Sequence, residues 1–91
     1  MKTSVTQAHV DAQIVELNVT TVFDKVTVVA ARLRNGFVLV EASGAVDKAN
    51  YSEAIGREIC LRRIKDKIWE MEGYQLSTNL AAHAAQAPAG L

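Results

Sequence analysis

Apolar and polar positions alternate along Leu17-Asn18-Val19-Thr20-Thr21-Val22-Phe23, a stretch rich in β-branched residues. Period-two alternation of this kind predicts a strand with one buried face. Val26 to Arg34 predicts a second strand after a turn at Asp24-Lys25, and Phe37 to about Ser43 predicts a third. Between the last two stands Asn35-Gly36, the pair favoured by type I′ hairpin turns because both central residues must take positive φ. Three consecutive strands joined by short turns form an antiparallel meander. Upstream, Val5-Thr6-Gln7-Ala8-His9-Val10 has the form of a helix start, Thr6 capping and Val5 and Val10 spaced as a hydrophobic staple. This short helix is expected to end near Ile14. Downstream, Asp47 is placed to cap a long helix running to Glu70 or Met71, with Gly73 just beyond as its stop.

The hairpin loop sets the register, and the register sorts the side chains. A two-residue loop pairs Arg34 with Phe37, Leu33 with Val38, Arg32 with Leu39 and Ala31 with Val40. Val29, Ala31, Leu33, Val38, Val40 and Ala42 then form the core face. Val28, Ala30, Arg32, Arg34, Phe37, Leu39, Glu41 and Ser43 form a mixed outer face. The long helix is apolar on two sides: Tyr51, Ile55 and Ile59 share one, and Cys60, Leu61, Ile64, Ile68 and Met71 share the other. One side is expected against the sheet and the other, carrying Leu61, Ile64 and Ile68, against a second copy. Gly56 costs about 1 kcal/mol relative to Ala inside a helix, which predicts a close backbone approach there.

The predicted fold is α+β: a short N-terminal helix, a three-stranded antiparallel β-meander and one long C-terminal helix, assembling as a dimer or higher homo-oligomer. Residues 1–76 form a single domain, and the Ala-rich residues 77–91 are expected to be a flexible, dispensable tail. Ninety-one residues with an ordinary apolar fraction support one small core. Ten basic residues balance ten acidic ones, which argues against nucleic acid as a partner. One cysteine, Cys60, excludes an internal disulfide, and its place on an apolar stripe reads as a buried small hydrophobe. The first residues lack the apolar stretch of a signal peptide and no run is long enough to span a bilayer, so no membrane is expected. His9 and His83 have no ligand-like spacing, so neither a metal nor another cofactor is expected. No nucleophile stands beside a base, which disfavours an enzyme.

Leu33-Arg34-Asn35-Gly36-Phe37, Ser43, Val46-Asp47, Ala49-Asn50-Tyr51, Ile55-Gly56, Lys67-Ile68-Trp69 and Glu72-Gly73-Tyr74-Gln75-Leu76 follow in order. Their spacing resembles a family of small accessory proteins of tailed bacteriophages, over residues 33 to 76. Family members usually carry a leucine-basic-NGF hairpin, a Ser-x-x-Val-Asp-Pro-x-Asn-aromatic lead into a helix, and a Lys-Ile-Trp-x-x-Glu-Gly-Tyr-x-Leu exit. This chain departs at Lys48, where the pattern has proline, at Glu41, where glycine is usual, and at Ala45, where cysteine is frequent. The type-one Thoeris anti-defence proteins resemble the same family. They are sponges that hold the cyclic ADP-ribose isomers made by host TIR enzymes, and some take cyclic dinucleotides, without cleaving the ligand. The resemblance implies a phage protein acting in the host cytoplasm that sequesters a cyclic nucleotide messenger. A phage module that binds a host protein is the alternative.

The residue types suit such a ligand. Adenine stacks on an aromatic ring or a guanidinium, worth roughly 1–3 kcal/mol, and phosphate takes arginine forks or helix N-terminal amides. Phe37, Arg34 and Arg32 supply the first set; Lys48, the amides after Asp47, and Arg57 supply the second. Asn50 both donates and accepts, which suits a ribose or base edge. Each residue has a plainer reading. Arg32 and Arg34 serve equally as solvated edge charges, and Phe37 as packing against a partner. Asp47 and Asn50 serve as caps, and Arg57 as the ion-pair partner of Glu53 or of another copy's Glu58. Trp69 and Tyr74 read as anchors at the end of the fold.

Overall fold

The structure, a computed structural model, describes residues 3–85. Helix α1 (Gln7–Gln13) leads into strand β1 (Ile14–Val22), followed by β2 (Val26–Leu33) and β3 (Val38–Gly44). A single 3₁₀ turn, Lys48–Asn50, precedes the long helix α2 (Glu53–Ala85). The sheet is the expected antiparallel meander in the order β1-β2-β3, with β2 central. Both helices lie on one face of it, α2 across β2 and β3 and α1 against α2.

Thr6 caps α1 as expected, its Oγ1 accepting from the His9 backbone N–H at 3.2 Å, and Val10 is fully buried. The inner sheet face carries Thr27, Val29, Ala31 and Leu33 of β2 and Leu39 of β3. Against it lie Gly56, Cys60, Ile64 and Ile68, spaced four apart so that they stay on one side of α2. Gly56 makes the close approach its sequence position suggests: it sits directly on Thr27.

Several expectations fail. The hairpin loop has three residues, not two. Gly36 N–H bonds Leu33 O at 2.9 Å, and Leu33 N–H bonds Phe37 O at 2.8 Å. Only Gly36 takes positive φ, +89°, while Asn35 does not. This is a type I turn followed by a left-handed glycine in a G1 bulge, another common use of the same dipeptide. Arg34 leaves the ladder because its N–H is taken by Gln13 O at 3.0 Å. The register therefore moves by one: Arg32 faces Val38, Ala31 faces Leu39 and Val29 faces Glu41. A one-residue slip exchanges the faces of a strand. Leu39 goes inward with Glu41, and Val38 and Val40 turn outward, 50% and 54% exposed. Glu41 now faces α2, where Lys67 pairs with it.

The positive-φ pair expected at Asn35-Gly36 occurs instead at Phe23 and Asp24, at 53° and 58°, in the β1–β2 turn. Asp47 caps the 3₁₀ turn, accepting from Ala49 N–H at 3.0 Å, while Ser52 Oγ caps α2 by accepting from Ile55 N–H at 3.3 Å. Gly73 does not stop α2, which continues to Ala85. His9 of α1 holds Glu72, the residue before that glycine, at 2.8 Å, and the helix runs on through it. Residues 77–85 of the expected tail are thus helical, and 86–91 lie outside the described residues. Ile64 and Ile68, two of the three residues assigned to a second copy, are fully buried in the chain's own core, while Leu61 is only partly buried. The outer side of α2 is charged instead, with Arg57, Glu58, Arg62, Asp66 and Glu70 exposed. No helix among the described residues is long and apolar enough to cross a membrane.

Candidate functional site

Where β2 ends, Arg34 turns back toward α1 and donates from Nε to Ala12 O at 2.7 Å, besides the backbone bond to Gln13. These contacts fix the guanidinium at the hairpin tip. Asn35 shapes the next step, its Oδ1 accepting from Phe37 N–H at 3.0 Å in an Asx turn. Phe37 is left 53% exposed and lines the same groove as Arg34. Across from both, α2 presents Met71, Glu72 and Gln75, and the groove they enclose with Gln13 has a volume of about 400 Å³. Glu72 accepts from His9 Nε2 at 2.8 Å, which ties the groove wall to α1. Gln13 is held in turn by donating to His9 O at 3.1 Å.

This groove has an aromatic face, a fixed cation and three side-chain amides around one volume. Such a set can stack a planar ring and hydrogen-bond its edges while placing a positive charge beside an anionic group.

A second, smaller hollow of about 210 Å³ lies at the other end of the sheet, lined by Ser43, Asn50, Tyr51, Ile55 and Gly56 among others. Hydroxyls near it form a directed chain. Thr21 donates to Glu53 Oε2 at 2.6 Å, so Tyr51 must donate to Thr21 at 2.7 Å, and Thr27 to Tyr51 at 2.7 Å. Every hydroxyl proton in the chain is then used, and the row ends on a carboxylate.

The predicted site residues divide accordingly. Arg34 and Phe37 share the larger groove. Asn50 lines the smaller one, with exposed Lys48 in the same 3₁₀ turn. The two ends of β2 that these sites flank, Thr27 and Leu33, are roughly 20 Å apart at strand spacing. Arg32 points from the outer sheet face and pairs with Glu16 at 3.0 Å, in an exposed contact worth little on its own. Arg57 is exposed on α2 and, among the described residues, forms no ion pair with Glu53. Tyr74, expected as an anchor, is 78% exposed, whereas Trp69 does pack against the core. Cys60 is buried with its Sγ 3.8 Å from Thr27 O, and burial pushes its thiol up, which disfavours a reactive thiolate. Gln13, Glu72 and Gln75 were not expected at a site. The last two lie in the recognisable Glu72-Gly73-Tyr74-Gln75-Leu76 segment, but the contact of Glu72 with His9, 63 residues earlier, leaves no local trace.

Residues 5–80 match the family described as Phage protein (N4 Gp49/phage Sf6 gene 66). The chain belongs to this family. No curated protein and no solved structure matches it. The Gp49/gene 66 match spans α1, the whole sheet and most of α2, so both walls of the larger groove lie within the family region.

Proposed function

We propose that this phage protein binds and sequesters a cyclic nucleotide second messenger, a cyclic ADP-ribose isomer or a cyclic dinucleotide, without cleaving it. The observation that carries this reading is that Phe37 and Arg34 line one groove, with amides on both walls. A volume of about 400 Å³ falls within the range of small-molecule sites, about 300–1,000 Å³. In this reading the base stacks on Phe37, the amides of Gln13, Asn35 and Gln75 read its edge, and Arg34 meets a phosphate. Glu72 stands on the same wall, and its hydrogen bond to His9 draws the carboxylate toward α1. Lys48, Asn50 and Arg57 are too far along the fold to join the same protomer's groove. They reach the ligand only if a second copy contributes them.

Such a protein acts by stoichiometric capture in the host cytoplasm. The test is native mass spectrometry after exposure to a lysate containing an active TIR enzyme. A bound, non-covalent nucleotide mass, released chemically unchanged on denaturation, is expected. Release of a hydrolysed nucleotide would instead indicate turnover. The alternative, a module that binds a host protein, is favoured by one separate observation: the outward valines of β3, on a sheet face that neither helix covers.

A further inference from the structure

Arg34 and Glu72 line the same groove, yet among the described residues they form no ion pair with each other. Opposite charges on facing walls attract, and an unrestrained pair would close the space between them. Both are held to α1 instead. Arg34 donates from Nε to Ala12 O at 2.7 Å, and Glu72 accepts from His9 Nε2 at 2.8 Å. Helix α1 thus keeps the cation and the anion of the groove apart, one pole on each wall.

The two poles do different work from the amides between them. Gln13 is tied to His9 O, Asn35 to Phe37 N–H and Gln75 to Asn79 Oδ1, but each amide keeps a donor and an acceptor to spare. An amide therefore meets an amine or a carbonyl equally well. Glu72 does not, because an ionised carboxylate only accepts. It offers about four acceptor sites. His9 takes one at Oε2, and Oε1 makes no hydrogen bond among the described residues.

We propose that Glu72 determines which base the groove takes, by accepting a hydrogen bond from the exocyclic amine of an amino-bearing base. The inference rests on the sequestration reading of this groove and adds its selectivity. A carbonyl in place of the amine sets one acceptor against another and leaves the carboxylate unpaired. A site built to bond an N–H rejects the analogue that lacks it for this reason. The same charge fixes the ligand's direction, since a phosphate is repelled at Glu72 and drawn to Arg34. The anionic end lies at the hairpin and the amino edge of the base at α2.

Calorimetry with matched ligands tests the assignment. Cyclic di-AMP and a cyclic ADP-ribose isomer are each paired with the counterpart in which hypoxanthine replaces adenine, so that a carbonyl stands where the amine was. Wild type should bind the adenine member of each pair roughly tenfold or more tighter. Glu72→Gln keeps an acceptor for His9 and gains a donor, so it should fold as the wild type does by circular dichroism and bind both members about equally. Were Glu72→Gln to unfold, Glu72→Ala on the same pairs decides. Equal wild-type affinity within the pairs overturns the assignment and leaves the sequestration reading standing. So does a preference that persists in the folded variant, the mark of a merely structural glutamate. Wild type that binds neither adenine ligand fails the sequestration reading and this inference with it.

Discussion

Gly56 and Thr27 touch so closely that a Cβ added to the glycine would lie 2.2 Å from Thr27 Oγ1 and 2.7 Å from Thr27 Cβ. Thr27 is fully buried in the central strand and its hydroxyl is engaged by Tyr51, so it has no room to yield. This contact sets the spacing between α2 and the sheet at the start of the helix. Gly56→Ala should therefore destabilise the fold by roughly 1–3 kcal/mol despite alanine's better helix propensity. Chemical denaturation would measure it, and an unchanged midpoint would mean that helix and sheet separate easily there.

Gly73 gives the opposite expectation. Nothing lies within 4 Å of a Cβ built on it, and its φ is not positive. Gly73→Ala should stabilise the protein by roughly 0.5–1 kcal/mol, the ordinary helix-interior difference. A rise in the melting midpoint checks this.

Asp11 joins α1 to α2 through Lys65 Nζ at 3.0 Å. The hydrogen bond from Lys65, then that from Gln7, holds its carboxyl below the usual carboxylate range. A depressed folded-state value adds stability above the unfolded-state value, and that stability is lost as pH falls through the folded one. The wild type should thus lose more stability than Lys65→Ala on acidification from neutral pH to below the usual aspartate range. Equal acid sensitivity in urea titrations would show that the pair is thermodynamically silent.

Arg57 separates a one-copy site from a shared one. It stands on the exposed side of α2, away from the groove that holds Arg34 and Phe37. If one protomer encloses the ligand, Arg57→Ala should bind as the wild type does, while Arg34→Ala binds more weakly with a changed salt dependence. A loss of tenfold or more in Arg57→Ala, with the fold intact, would place a second copy's helix over the groove.

The order of elements was legible because each rests on local chemistry: the Thr6 cap, strand alternation and turn residues. The register of β3 was not. Asn-Gly fits a two-residue loop and a three-residue loop equally well, and the choice follows from the Arg34 bond to Gln13 O, a contact to another element. The end of α2 was misplaced too: Gly73 resembles a stop, but its φ is not positive and the helix runs through it to Ala85. At the candidate site, Arg34 and Phe37 were visible as neighbours in the hairpin. Glu72 and Gln75 come to them only through the tertiary packing of α2.

Titration calorimetry of a purified cyclic ADP-ribose isomer into wild type and Phe37→Ala tests the central claim most directly. Competition with a host sensor requires affinity near the nanomolar range, on the order of −12 kcal/mol. Removing the stacking ring should weaken binding tenfold or more, about 1.4 kcal/mol. Phe37 is half-exposed and is not among the buried core residues, so the melting midpoint should hold. Wild-type protein that shows no heat with cyclic ADP-ribose isomers or cyclic dinucleotides at micromolar concentration would contradict the account.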